Sequence, residues 1–222
     1  MKKTYIIANW KSNKNASEAK EWLSIISGFR DQLLNLSNKE IIVCPSFVHL
    51  PLMKAYIEEQ MLPVKLGAQN ISSFEEGAYT GEVNGKQIKD LAEYVLIGHS
   101  ERRKYFDETE EMLKDKVTAA NKWSLKTIFC ADNQEGLIPE GVSIVVYEPP
   151  TSISPAPADT PENAEKTAKA LNEKTSIESI LYGGNVTSEN VSSFMKKESI
   201  RGVLVGRASL DAQEFFKIIT NA

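Results

Sequence analysis

The sequence predicts an α/β fold: a parallel sheet of eight strands alternating with helices, closed into a (β/α)8 barrel that takes up residues 1–222 as one domain. Three observations lead there. Eight short runs rich in β-branched residues recur along the chain. They are nearly continuous in apolar residues, as expected where both faces of a sheet are covered. Between them lie stretches whose apolar residues recur at helical spacing. An open doubly wound sheet is the structural alternative to closure, and 222 residues would also accommodate two small domains.

The first strand is TYIIANW (4–10). After it, SEAKEWLSIISGFRDQLL (17–34) puts Ala19, Trp22, Leu23, Ile26 and Phe29 on one helical face. Strands follow at EIIVCPS (40–46), VKLGAQ (64–69) and YVLIGH (94–99). The helix at TEEMLKDKVTAANKW (109–123) opens with a Thr cap and early acids, and KTIFCAD (126–132) is the fifth strand. Only NQEGLIPEG and Val142 separate it from the next strand, too little for a capped helix of ordinary length. The fifth βα unit is therefore predicted to be shortened, leaving the outside of strand five poorly covered unless another subunit covers it. The sixth strand is SIVVYEP (143–149). In TPENAEKTAKALNEK (160–174), Thr160 stands at the cap and Pro161 at the first helical position. The series ends with SILYGG (179–184), TSENVSSFMKK (187–197), GVLVGR (202–207) and SLDAQEFFKII (209–219).

VYEPPTSISPAPADTP (146–161) interrupts this regularity, with five of the nine prolines inside thirteen residues. It reads either as a stiff linker between domains or as a loop of a site containing Glu148. In a barrel it is the connection from strand six to helix six, on the face where such folds place their active sites.

Composition excludes several function classes. A net charge of -4 gives no general attraction to nucleic acid or to an anionic membrane. The apolar stretch near the N-terminus stops at Asn9, short of the about seven to fifteen residues of a signal core. No run approaches the roughly 18 apolar residues of a membrane span. Cys44 and Cys130 both lie in strand-like runs and make no disulfide framework, so a cytoplasmic location is expected. With only His49 and His99, and no closely spaced Cys or His ligands, no metal site is expected.

Chemistry concentrates at the strand ends. Strand one delivers Asn9 and Lys11, strand four His99, strand six Glu148, strand seven Gly183 and Gly184, and strand eight Gly206. Each has a bland reading as a strand terminus, a tight turn or surface charge. In a barrel, however, all of them share one rim. An acid, an imidazole, an ammonium and close-approach backbone amides together suit proton abstraction beside a carbonyl in a phosphorylated substrate.

The segments ANWKSNK (8–14), GAYTGEV (77–83), IGHSERR (97–103), YEP (147–149), LYGGN (181–185) and LVGRASL (204–210) resemble, in order, the motifs of the triosephosphate isomerase family. The resemblance runs from residue 4 to the C-terminus. It implies a TIM barrel that interconverts D-glyceraldehyde 3-phosphate and dihydroxyacetone phosphate through an enediolate, with no cofactor and no metal. By motif, Glu148 is the carboxylate base and His99 the neutral imidazole that polarises the carbonyl. Lys11 meets the substrate's negative charge, Asn9 orients it, and Glu101 is a partner for Lys11 or a structural salt bridge. The phosphate grip falls on main-chain N–H groups of Ser154, Gly183, Gly184, Asn185, Gly206 and Arg207. The family commonly has Ser at Asn185 and a second Gly at Arg207, whose side chain either adds charge near the phosphate or points away. GAYTGEV matches a loop inserted beside the other subunit's site, with Thr80 at its tip and Ser12 and Asn13 receiving it. A homodimer follows, with a tetramer expected if strand five exposes apolar surface.

The resemblance also implies a lid over residues 149–162, altered here. Pro149, Ile153, Thr160, Pro161 and Glu162 are retained, whereas Thr151 replaces a tryptophan and Ser154–Ala156 replace Gly-Thr-Gly. Pro155 and Pro157 have no N–H to give and hold φ near about −65°. Either the lid is stiffer, with altered gating, or the loop has drifted and still closes. Two other functions stand beside the isomerase: a noncatalytic phosphate-binding barrel, and an isomerase of a larger phosphoribosyl substrate, against which NWK and GHSERR argue.

Overall fold

The computed structural model describes residues 3–133, 135–150 and 158–222. Eight parallel strands pair in chain order, and the last returns to the first. They are β1 (Thr4–Asn9), β2 (Lys39–Cys44), β3 (Val64–Ala68), β4 (Tyr94–Ile97), β5 (Lys126–Ala131), β6 (Ile144–Tyr147), β7 (Ile180–Tyr182) and β8 (Gly202–Val205). Closure is carried by β1 and β8, whose partners run from Tyr5↔Gly202 to Ala8↔Val205. The fold is a (β/α)8 barrel, and the open-sheet alternative falls with that pairing.

Strand parity divides the core in two. Inside the barrel lie Ile7, Ile42, Cys44, Tyr94, Leu96, Ile128, Cys130, Ile144, Val146, Leu181 and Leu204. The alternate residues, such as Ile6, Ala8, Val43, Val95, Val145 and Val203, face outward into a second core beneath the helices. Both faces of every strand are thus covered, which is why the strands read as unbroken apolar runs. Glu40 enters at the lower end, where it accepts the Tyr94 hydroxyl and pairs with Lys3.

Gly202 is where closure is tightest. Its φ is 154°, and a Cβ there would lie 2.0 Å from the Tyr5 carbonyl oxygen. Gly202→Ala must push β1 and β8 apart, and is expected to cost about 1–3 kcal/mol of stability, the range for overpacking. Urea unfolding measures it, and an unchanged midpoint would show that the barrel absorbs the methyl.

The helices form where the caps and apolar faces put them. Asn15 and Glu18 make a reciprocal capping box at the start of α1 (Ala16–Ser27), which buries Ala19, Trp22, Leu23 and Ile26. The single helix expected over 17–34 is in fact two, because the chain turns at Gly28 and Phe29 before α2 (Arg30–Leu34). Gly is a poor interior helix residue, and that is where the break falls. Next come α3 (Leu50–Glu59), α4 (Gly85–Lys89), α5 (Ser100–Tyr105) and α6 (Glu110–Lys122). Thr109 caps α6, and Thr160, with Pro161 after it, starts α7 (Pro161–Thr175). The last two are α8 (Val191–Met195) and α9 (Ala212–Asn221). Periodicity missed α3 and α4; α4 spans only five residues, too few for a helical pattern to declare itself.

Among the described residues between β5 and β6 there is no helix, so the fifth unit is shortened as expected. The expected exposure of strand five is overturned. Thr127, Phe129 and Ala131 on its outer face are all buried within this one chain. Helix α6 packs on β5, Ile138 of the connection packs on the core, and the Arg103 guanidinium lies 5.7 Å from the Phe129 ring centre. The Lys174 ammonium of α7 ties the connection down by donating to the carbonyls of Glu135 (3.1 Å) and Gly136 (3.0 Å).

Candidate active site

The inward parity of the strands continues past their upper ends, and this builds the site. Tyr5 and Ile7 face inward and so, two residues on, does Asn9. By the same step Ile144 and Val146 lead to Glu148, Leu181 to Gly183 and Leu204 to Gly206. Asn9, Lys11, His99, Glu101, Glu148, Gly183, Asn185, Gly206 and Arg207 all line one cavity of about 550 Å³. His99 does not follow parity. Gly98, with φ 72°, turns the chain so that His99 caps α5 and faces the mouth.

Glu148 and His99 form the centre. Glu148 Oε1 lies 2.9 Å from His99 Nε2, and Oε2 accepts the Ser100 N–H at 3.0 Å. Both residues are buried. The Glu101 N–H points at His99 Nδ1 at 3.2 Å, which makes Nδ1 the acceptor and leaves the ring proton on Nε2, towards Glu148. Burial pushes the Glu148 carboxyl up. The charge and hydrogen bond of His99, the Ser100 N–H and the Cys130 thiol pull it down harder, and it ends below the ordinary carboxylate value. At His99 burial works downward, but the neighbouring carboxylates, Glu148 foremost, hold its proton affinity above the ordinary value.

Lys11 is held by its backbone as well as its charge. Its φ of 53° is left-handed, a conformation that costs an L-residue about 1–2 kcal/mol. Three polar side chains hold it there. Asn9 Oδ1 accepts the Lys11 N–H (3.0 Å), while Ser46 Oγ (3.2 Å) and Gln69 Nε2 (3.0 Å) donate to the Lys11 carbonyl. Gln69 also donates to the Cys44 carbonyl (2.8 Å), tying the ends of β1, β2 and β3 together. The result aims Lys11 Nζ at Glu101 Oε1, 2.6 Å away.

Gly183 has no room for a side chain. A Cβ would lie 2.6 Å from Val146 Cγ1 and 3.2 Å from Glu148 Cγ, displacing the carboxylate. Asn185 has φ 50°, a left-handed position that asparagine tolerates better than most residues. Gly184 is buried behind the wall and does not line the cavity. Asn13 lines it and donates to the Trp10 carbonyl (2.7 Å), whereas Ser12 and Thr80 are exposed and stand off it. Ser154 lies outside the described residues, as does the rest of 151–157, so the altered lid tip is known from sequence only.

Sequence reasoning missed Ser46, Gln69, Ser100, Arg103 and Cys130. Arg103 donates to the carbonyls of Gly98 (2.9 Å) and Cys130 (3.2 Å), clamping the ends of β4 and β5. Extending strand parity two residues beyond each strand would have found Gln69, and Cys130 shares parity with inward-facing Ile128. Ser100 acts through its N–H, for which a side chain carries no signal.

A family model described as triosephosphate isomerase matches residues 4–137 and 138–222, its one break falling between β5 and β6. The chain is 34% identical to the triosephosphate isomerase of Mesomycoplasma hyopneumoniae strain 7448, over 99% of this chain and 100% of that protein. It is 34% identical to the one from Dictyoglomus turgidum and 35% to that from Dictyoglomus thermophilum, each over 99% of both chains. With the motifs in order on a closed barrel and matches that span its length, the chain belongs to the triosephosphate isomerase family.

Proposed function

We propose that this protein is an aldose–ketose isomerase interconverting D-glyceraldehyde 3-phosphate and dihydroxyacetone phosphate, a step of glycolysis and gluconeogenesis, within one barrel domain of residues 1–222. The observation that carries the reading is the Glu148–His99 pair, a buried carboxylate and imidazole 2.9 Å apart, sharing a cavity with the Lys11–Glu101 pair.

The roles are those the family motifs imply, and that geometry supports them. Glu148 is ionised at neutral pH and serves as the base. Both of its oxygens are engaged, so it gives up His99 or Ser100 to reach a carbon-bound hydrogen. A carboxylate is a weak base for a carbon acid, and a dry site with a stabilised enediolate makes up the difference. Once the carboxylate moves, the His99 Nε2–H is free to donate to the substrate's carbonyl oxygen. Burial then acts with less opposition and keeps the ring neutral. Lys11 supplies positive charge to the oxygens and to the phosphate, Asn9 orients the substrate and anchors Lys11, and Glu101 holds the lysine. By motif, main-chain N–H groups at Ser154, Gly183, Asn185, Gly206 and Arg207 take the phosphate; Gly184, buried and off the cavity, is left out of that grip.

The reading includes a homodimer in the cytoplasm. Phe74 and Tyr79, on the loop that leads to Thr80, are 51% and 45% exposed with their rings stacked 4.3 Å apart, and Val48 is 79% exposed. Apolar surface of this kind suits a partner, with the partner subunit's Ser12 and the partner subunit's Asn13 receiving the loop. The ground for a tetramer was exposed strand-five surface, and that strand is covered. A solution mass near twice 24.7 kDa is expected, falling to the monomer value when Phe74 and Tyr79 are both changed to Ser. A wild-type mass of one chain would remove the dimer.

The activity itself is tested by a coupled assay of glyceraldehyde 3-phosphate isomerisation with the purified protein. Robust turnover is expected; phosphate-ester binding without turnover would leave only a noncatalytic barrel.

A further inference from the structure

Lys11 and Lys14, on the segment that follows β1, are both left-handed, with φ 53° and 70°. Glycine adopts that conformation freely and an L-residue does not, so a lysine held there points to work done by its side chain. The backbone is fixed from the segment after β2. His49, buried, donates its Nε2–H to the Lys14 carbonyl at 2.9 Å, as Ser46 Oγ donates to the Lys11 carbonyl at 3.2 Å. Each partner stands 35 positions further along the chain, the offset that pairs Thr4 with Lys39 and Asn9 with Cys44 in the β1–β2 ladder. Side chains thus carry the strand register past the strand ends.

The Lys14 ammonium is fixed separately. Burial lowers its proton affinity, while the nearby carboxylates of Glu18, Glu21 and Asp211 raise it. Glu18 and Asp211 are committed to capping α1 and α9, and among the described residues Lys14 pairs with none of the three. Its Nζ instead donates to the Leu210 carbonyl at 2.8 Å while lying 5.3 Å from the Trp10 ring centre. Leu210 ends the 3-10 turn Arg207–Leu210 after β8, and Trp22 Nε1 holds the preceding carbonyl, that of Ser209, at 3.0 Å. The other end of the turn meets Lys11, because a Cβ on Gly206 would lie 3.5 Å from Lys11 Cε. Lys14 therefore sets the spacing between the Lys11 segment and the turn against which the Lys11 stem rests.

We propose that Lys14 is a positioning residue for Lys11: its bridge to the Leu210 carbonyl holds the turn after β8 at the distance that aims the Lys11 ammonium into the cavity. This deepens the isomerase reading and rests on it for the reaction that Lys11 serves. Lys14 touches no reacting group and does not line the cavity, so its effect passes through its neighbours.

The test is calorimetric titration of glycerol 3-phosphate, which has the phosphate and no carbonyl, into wild type, Lys14→Met and Lys14→Arg. Lys14→Met keeps the stem beside Trp10 and removes the donor, and is expected to bind about fivefold more weakly, the scale of coupling within one network. Lys14→Arg keeps a donor on a long stem and should recover part of the loss. The readout that a merely structural lysine would not move is the dependence on Lys11. In a Lys11→Met background, Lys14→Met should cost little further affinity. Equal affinity of Lys14→Met and wild type would overturn the proposal. So would a loss of the same size with and without Lys11, or one that accompanies a change in solution mass. A wild type that does not bind glycerol 3-phosphate would overturn it whatever its turnover. Because binding needs no turnover, the two readings fail separately. An inactive wild type whose affinity depends on Lys14 through Lys11 sinks the isomerase and leaves the bridge standing, while an active enzyme indifferent to Lys14 does the reverse.

Discussion

Glu148→Gln is expected to lower kcat by about two to four powers of ten, the usual range for removing a general base. The substitution keeps the shape and an oxygen for the Ser100 N–H, so the barrel should fold unchanged. A second readout separates the base from a merely structural carboxylate. The charge and hydrogen bond of Glu148 are the chief influences raising the His99 proton affinity; without them, burial and Lys11 outweigh Glu101, and the imidazole should titrate at lower pH. The chain has only two histidines, His49 and His99, so proton NMR resolves the change directly. Turnover within tenfold of wild type would sink the role as base.

The same pair sets a pH window for stability. His99, raised above about 6.5, contributes stability that is lost as pH rises through its folded value. Glu148, lowered, contributes stability that is lost as pH falls through its folded value. The contact is strongest between those two limits.

Lys11→Met is expected to reduce kcat/KM by about 10²–10³, the cost of losing one preorganised charge in a transition-state site. It acts twice. The ammonium no longer meets the developing oxyanion, and Glu101, stripped of its 2.6 Å partner, turns its charge on the incoming dianion. Adding Glu101→Gln should therefore restore part of the loss, and a double-mutant cycle measures the coupling. If the pair were only a surface strut, the melting temperature would move and kcat/KM would not.

Gly98 shows how the chain itself specified much of this. The motif around it was legible, and with it the presence of an imidazole at the end of strand four. The left-handed turn that swings His99 out of strand parity and onto α5 was not, because φ is a property of the folded backbone. The expectation about strand five failed for a related reason. A missing helix was visible as a short connection, but cover can come from residues distant in sequence, and α6, Ile138 and Arg103 supply it.

By itself, then, the sequence determined what is local and periodic: the alternation of strands and helices, the inward parity that puts Asn9, Glu148, Gly183 and Gly206 at one rim, and the caps at Thr109 and Thr160. Only the tertiary structure decided which rim residues touch. Ser100 and Glu148 are 48 positions apart, and Lys11 and Glu101 are 90. No spacing rule joins them. Their partnership arises because β1 and β8 meet, and closing the barrel carries the ends of separate strands to one mouth.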